Sequence, residues 1–371
     1  MSNPTPKILI LSLSGIGNYI MQSPAIEALK KHWPDCHITV WVAPRGTKQL
    51  AENDPNVDAV IESPIKLSIK SHLKWSLYLT RKKFDVALML SPGQLWKGSA
   101  YMFLAGIPKR IAHQYPFYGN PDSSFLLTDS IKEDPTLHDT DQNLSLLSCL
   151  EIENWKLKIG APYHIAIPLE NHKNAKSILQ LLKISNNAPL IGIHPGCAPG
   201  FEWKRWPLEN FAKLAQLLTT DGSLPLAKRK SRTFRRREGV SQPTFLIFGG
   251  PEEEEQKNNL KEMIGHVAHV ISTDLLTTSA IISNCSLFVS NDSGLMHIAA
   301  ATNIPTFGLF GPTDENQTGP RGSQSYVVRA KSTKPIYKTE TAHNPGKSAQ
   351  SSMLAITPQQ VLDVITQHHR Y

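Results

Sequence analysis

Short apolar runs that end in Gly, Pro, Asn or Ser alternate with stretches of helical apolar spacing, and the alternation begins afresh near the middle of the chain. Residues 7–12 (KILILS) read as a buried strand, and residues 16–32 as a helix carrying Ile16, Ile20, Ala25, Ile26 and Leu29 at helical spacing. Pro24 is expected to kink that helix, because proline offers no N–H and crowds the preceding turn. Strands follow at 37–42, 57–61 and 84–90, with helices at 47–52 and 65–80 between them. Such alternation builds a parallel sheet, since parallel neighbours need a crossover. After Pro168 and a linking helix at 173–184 the rhythm restarts, with strands at 190–193, 244–248, 268–271, 287–290 and 305–310 and helices such as 208–218 and 295–301. The expectation is α/β: two Rossmann-like, doubly wound parallel-sheet lobes facing a central cleft, at 1–170 and 171–356. A last helix within 357–371 reads as packing back across both.

With 371 residues there is room for two sizeable cores, so a small disulfide-stapled scaffold is excluded. The four cysteines, Cys36, Cys149, Cys197 and Cys285, are widely spaced and form no C-x-x-C pair, and they read as reduced filler. No apolar run approaches the roughly 18 residues that span a bilayer, which sets the expectation of a cytoplasmic protein. The net charge of +8 is concentrated: between Lys228 and Glu238 seven cations face one carboxylate, a net +6. A nucleic-acid-binding domain would spread its charge over a folded face, so no nucleic-acid partner is expected. The segment 227–241 falls between a helix and a strand, where connections are usually short, and reads as a basic insertion.

In open α/β sheets ligands collect beyond the carboxyl ends of the strands. Four unusual loops of the second lobe fall there. They are His194-Pro195-Gly196 with Lys204-Arg205-Trp206-Pro207, then Gly249-Gly250-Pro251 with Glu252 to Glu255, then Asn291-Asp292-Ser293-Gly294-Leu295-Met296-His297, and Gly311-Pro312-Thr313-Asp314. Asp292-Ser293-Gly294 opens a helix whose first N–H groups point outward and carry the positive end of its dipole, which suits a diphosphate. Lys204 would supply counter-charge and His297 lies on the same first turn. A helix cap and a packed histidine are the plain alternative for this loop taken alone. Glu253 is the acid of its run placed to accept from a ribose diol, and Trp203 and Trp206 read as core or cleft wall.

In the first lobe, Ser14-Gly15-Ile16-Gly17-Asn18 follows the first strand and lacks the third glycine of a dinucleotide fingerprint. Asp139-Thr140-Asp141 has the spelling of a metal-dependent sugar-transferase motif. It precedes an apolar helical run instead of ending a strand, so helix capping is its reading, and no metal and no cofactor are expected. Lys66, Lys70 and Lys74 recur every four residues beside an apolar stripe of Ile69, Leu73 and Leu77. They read as a solvated face, with docking to an anionic glycolipid or membrane surface as the sharper alternative.

The combination of KILILSLSGIGN, HPG with KRWP, FGGPEEEE, SNDSGLMHIAAA and LFGPTDENQTGP resembles the bacterial heptosyltransferases of glycosyltransferase family nine, over Lys7 to about Gly322. The resemblance implies the GT-B fold, inverting transfer without a metal, an ADP-heptose donor on the second lobe and a lipopolysaccharide-core acceptor on the first. It implies donor contacts from Lys204, Glu253, Asp292, Ser293, Gly294 and His297; Gly15, Gly17, His194, Pro312 and Thr313, from their loops, complete the candidate donor-binding set, and Lys204 and His297 are expected to aid departure of the diphosphate. Where the family carries an aspartate thought to be the general base, this sequence has Asn18. Three alternatives stand: another group serves as base, with Asp139 or Asp141 conceivable; Asn18 orients the acceptor; or the protein binds a nucleotide sugar with little transfer. Transfer to protein hydroxyls is a further alternative to the glycan acceptor.

Overall fold

The computed structural model describes residues 5–43, 46–62, 69–90, 96–114, 123–152, 156, 159–184, 188–220, 242–330, 335 and 347–368, with 69–71, 73 and 347–350 described in the backbone alone. The chain divides after Ala166 into two compact units.

The first unit runs β1 (Lys7–Ser12), α1 (Ile16–His32), β2 (His37–Val42), α2 (Thr47–Glu52), β3 (Ala59–Glu62), α3 (Ile69–Lys82), β4 (Val86–Met89), α4 (Trp96–Leu104), β5 (Lys109–Gln114), β6 (Asp129–Lys132) and α5 (Asp139–Ser145). Its six strands are all parallel, in the order β3-β2-β1-β4-β5-β6. Helix α1 continues through Pro24, which lies in its buried stretch. One face of the sheet is covered by α3 and α4: Leu79, Tyr101 and Met102 close over Leu9, Leu11, Ala87 and Met89. Trp41 joins them, its ring 5.4 Å from Trp75 and 5.3 Å from Tyr101.

The second unit runs α6 (Leu169–Leu181), β7 (Leu190–His194), α7 (Leu208–Thr220), β8 (Thr244–Ile247), α8 (Glu254–Ile264), β9 (Ala268–Val270), α9 (Leu275–Ile282), β10 (Leu287–Asn291), α10 (Gly294–Ala301), β11 (Thr306–Phe310), α11 (Glu315–Thr318), β12 (Ser325–Arg329), α12 (Lys347–Leu354) and α13 (Pro358–His368). Its order, β9-β8-β7-β10-β11-β12, repeats the topology of the first unit. In both sheets the winding reverses once, between β1 and β4 and between β7 and β10, and this is where such folds leave a crevice. Helix α13 buries Val361, Leu362 and Ile365 in the core of the second unit, alongside Phe211 and Leu214 of α7. The Trp206 indole lies in the same core and donates to the Ile356 carbonyl at 2.9 Å.

The elements read from periodicity are present, with ends shifted by a few residues. Helix α6 starts at Leu169 instead of 173, and β3 at Ala59 instead of 57. Not anticipated were α4, β5, β6, α11, β12 and α12. β6 (DSIK) and β12 (SYVVR) are edge strands, short and only partly buried; β6 is polar but for Ile131, and the Tyr-Val-Val of β12 is too short a run to mark a strand. The basic insertion at 227–241 lies outside the described residues, as do Lys66 and the side chain of Lys70 from the basic stripe.

Candidate functional site

The winding reversal of the second sheet sets His194, the last residue of β7, beside Ser290, the penultimate residue of β10. Polar groups in so buried a place must find partners or cost free energy. The His194 ring bridges two loops: Nδ1 lies 2.8 Å from Ser293 Oγ and Nε2 lies 3.1 Å from Glu253 Oε2. A carboxylate only accepts, so Nε2 carries the proton, and in the neutral ring Nδ1 accepts from the Ser293 hydroxyl. Ser293 is also the N-cap of α10, its oxygen accepting the Met296 N–H. The hydroxyl proton is thus committed inward. What α10 presents outward is the backbone N–H groups of its first turn and the positive end of its dipole.

Glu253 ties the first two loops together. Its Oε1 accepts the Cys197 N–H at 2.9 Å and its Oε2 accepts the Gly250 N–H at 2.8 Å. Burial pushes the Glu253 carboxyl upward, but the hydrogen bonds from His194 and from the Gly250 and Cys197 N–H groups outweigh it and hold its pKa below the ordinary glutamate value. Both oxygens, expected at a ribose diol, are engaged by the protein's own loops, and the side chain is buried. The space around this carboxylate is why residue 196 is glycine: a Cβ there would stand 1.7 Å from Glu253 Oε1. Cys197, beside it, has a thiol pushed up to about 11 by burial, which keeps it protonated and unreactive.

Lys204, brought back to the strand ends by a short turn at Glu202–Lys204, places Nζ 2.7 Å from Asp292 Oδ2, directly before the start of α10. It sits 5.2 Å and 5.6 Å over the rings of Phe201 and Trp203. Burial works on the Asp292 carboxyl upward, and Lys204, His297 and the Thr313 hydroxyl outweigh it, so it is held below the ordinary aspartate value and stays ionised. His297 is buried on the first turn of α10, and Pro312 and Thr313 follow β11. The structure therefore gathers His194, Lys204, Glu253, Asp292, Ser293, Gly294, His297 and Thr313 at one edge of one sheet. Of the two tryptophans, Trp206 is core and Trp203 lines the lysine.

Asn291 heads the loop singled out in the sequence, where no role was read for it. Its side chain donates to the Pro195 and Gly196 carbonyls at 2.6 and 3.2 Å and accepts the Trp206 N–H at 3.0 Å, pinning the loop after β7 and the KRWP segment to β10. The signal was there in the pair Ser290-Asn291, polar residues ending a strand that begins Leu287-Phe288-Val289. Lys257 of α8 was also missed. Fully buried, it is held by Glu254 at 2.7 Å and Ser272 at 2.9 Å and reaches the Gly249 carbonyl at 3.3 Å.

In the first unit Gly15 is the N-cap of α1, and Gly17 and Asn18 lie on its first turn, beyond the end of β1. The helix holding the D-x-D sequence is capped by His138, which accepts the Thr140 N–H, so Asp139 and Asp141 are not the cap. Both are buried, and Asp141 accepts the Gly160 N–H at 3.1 Å. Among the described residues no group of three or more His, Cys, Asp and Glu side chains is placed to hold a metal ion.

Two successive Rossmann-like units, one carrying a lysine and a braced helix start at the point where its sheet reverses, place the protein among the α/β enzymes that hold a phosphate-bearing ligand in a strand-end crevice. The chain belongs to glycosyltransferase family 9 (heptosyltransferase), whose model matches residues 73–346. It is 29% identical to lipooligosaccharide heptosyltransferase 2 of Haemophilus influenzae, over 97% of this chain and 98% of that one. It is 25% identical to lipopolysaccharide heptosyltransferase 2 of Escherichia coli K12, over 96% and 97%. Among solved structures, the E. coli ADP-heptose LPS heptosyltransferase II superposes with a TM-score of 0.72 at 23% identity, covering 97% of this chain and 98% of that one. A family 9 glycosyltransferase from Veillonella parvula does so with a TM-score of 0.78 at 22% identity, covering 99% and 98%. The protein is thus a glycosyltransferase with the expected GT-B fold.

Proposed function

We propose that this enzyme transfers a heptosyl group from ADP-heptose to a hydroxyl of the lipopolysaccharide core, with inversion and without a metal. The observation that carries the reading is Lys204 at the start of α10, paired to Asp292 at 2.7 Å. As the bond from the anomeric carbon to the diphosphate oxygen breaks, its electrons leave with ADP, and the developing charge meets the Lys204 ammonium and the outward N–H groups of α10. Donors fixed in advance where charge develops are the strongest electrostatic device available to such a reaction. His297 adds to the same field. The acceptor oxygen forms the new bond on the opposite face of the sugar and gives up its proton. Asn18 orients that hydroxyl, and an amide takes protons poorly, so the proton passes to another acceptor.

The reading includes action at the cytoplasmic face of the inner membrane, where the acceptor glycolipid is anchored. No helix among the described residues is long and apolar enough to cross a membrane. Calorimetry with ADP-heptose, together with ADP release in the presence of lipopolysaccharide-core acceptor, tests the reaction. Binding with acceptor-dependent release is expected. Binding without release favours the second reading, a nucleotide-sugar-binding protein, for which Asn18 is the motive. Label arriving on a polypeptide instead of glycolipid would redirect the acceptor to protein hydroxyls.

A further inference from the structure

The outer surface of the α3 and α4 layer combines two properties that rarely coincide on a protein facing only water. The first is exposed apolar area. Leu77 on α3, Phe103 and Leu104 at the end of α4, and Phe125 in the turn before β6 are 50%, 50%, 62% and 79% exposed. α4 packs against that turn, so Phe103, Leu104 and Phe125 share one neighbourhood. Trp96 opens the same helix and is also exposed.

The second property is charge. From Ile69 to Gln114 the sequence has eight lysines and arginines and a single acid, Asp85, whose carboxylate accepts the Lys7 backbone N–H. On α3, Lys74, Leu77 and Arg81 follow one another at i, i+3 and i+7, which places them on one solvent-facing stripe. On α4, Lys97 follows Trp96. Between the helix and the turn, the Arg110 guanidinium lies 5.5 Å from the centre of the Phe103 ring and donates to the Leu126 carbonyl at 2.7 Å. The opposite helix layer differs: α1 and α2 carry Glu27 and Glu52 among their lysines, paired at i, i+4 with Lys31 and Lys48.

We propose that this face of the first unit docks on an anionic phospholipid surface, with Phe103, Leu104 and Phe125 entering the headgroup region and Lys74, Arg81, Lys97 and Arg110 meeting lipid phosphates. One of these cations, Lys109, pairs with Asp129 at 4.0 Å, and a protein partner that is merely apolar leaves the remaining excess of positive charge unanswered. An anionic bilayer answers both properties, since interfacial binding adds apolar burial to electrostatic attraction. The setting rests on the membrane contact proposed above, but vesicle binding needs neither donor nor acceptor, so failure of either claim leaves the other standing.

The test is sedimentation of the full-length protein with phosphatidylcholine vesicles, with and without phosphatidylglycerol. Binding to the anionic vesicles, weakened by salt, is expected. Phe103→Ser with Leu104→Ser, and separately Lys74→Glu with Arg81→Glu, should each lower the partition coefficient at least about tenfold, with turnover on a soluble acceptor unchanged. Lys74 and Arg81 are both exposed, and the charge pair keeps the test valid should the apolar pair unfold. Wild-type protein indifferent to phosphatidylglycerol would overturn the proposal. So would unchanged binding by the charge pair, including the case where deleting 228–237 abolishes binding instead. A dimer dissolved by these variants in the absence of vesicle binding would hand the surface to a second copy of the chain.

Discussion

Glu253 and His194 lie 3.1 Å apart, carboxylate to Nε2, and between them they fasten the loops after β7 and β8 to the start of α10. The ionised carboxylate is the centre of this brace, and its pKa is held low in the folded state. A depressed folded value means that the contribution to stability is whole above the unfolded glutamate pKa and is lost as pH falls through the folded one. Asp292, held low by Lys204 and its neighbours after burial is overcome, behaves in the same sense. The melting temperature should therefore fall steeply on acidification below the ordinary glutamate value of 4.5. Glu253→Gln should cost about 1.5–3 kcal/mol at neutral pH by removing charge-assisted hydrogen bonds, and should shallow the acid limb. Thermal denaturation of both proteins across pH measures this, and parallel acid limbs would count against the brace.

Gly196 is the position least able to change. Alanine there drives Cβ to within 1.7 Å of Glu253 Oε1, and the carboxylate cannot swing away without surrendering the Cys197 and Gly250 N–H groups. Overpacking of this kind costs about 1–3 kcal/mol. Gly196→Ala should lower the denaturant midpoint and weaken ADP binding together. In a Glu253→Gln background the two costs should fall well short of additive, because both act through one contact.

How much of this was legible in the sequence differs by element. The inner strands of both sheets, buried on two faces, appear as unbroken apolar runs such as KILILS, and periodicity finds them. The edges β6 and β12 are short and only partly buried, β6 mostly polar and β12 with only a brief Tyr-Val-Val run, so their pairing is decided by the neighbouring strand more than by their own composition. At the site, strand-end logic located the right loops, because that rule depends only on topology. It gave no sign that Glu253 turns inward, since an acid in the first turn of a helix suits the dipole whichever way it points. The opening of a helix can also be located more easily than its cap: Asp139 looked like one, and the imidazole of His138 took the place.

Lys204 and Asp292 form the ion pair that a diphosphate must enter or exploit. The pair is largely buried, with side chains 18% and 8% exposed, so removing one partner leaves the other poorly solvated. Lys204→Met should weaken ADP binding about 10- to 100-fold and also destabilise the fold. Asp292→Asn should destabilise it less, since the lysine keeps some water. In the double variant stability should recover part of the loss while ADP affinity does not. That split, read by calorimetry and chemical denaturation on the four proteins of the cycle, separates anion binding from structural pairing. Affinity that recovers along with stability would make Lys204 a structural residue alone.

Asn18 stands on the first turn of α1, half-buried, where the backbone leaves β1 through Gly15. The amide and a carboxylate share a shape, so Asn18→Asp changes proton affinity and charge while keeping the side chain's outline. A positioned general base is worth about 10² to 10⁴ in rate. If the proposed reaction places the acceptor hydroxyl here, the variant should raise kcat by about tenfold or more. That gain should grow as pH rises through the aspartate range, while KM for ADP-heptose hardly moves. A gain confined to KM would mean that the residue meets a ligand without touching the proton. An unchanged kcat across pH would mean that the base lies elsewhere in the first unit and that Asn18 acts by orientation alone.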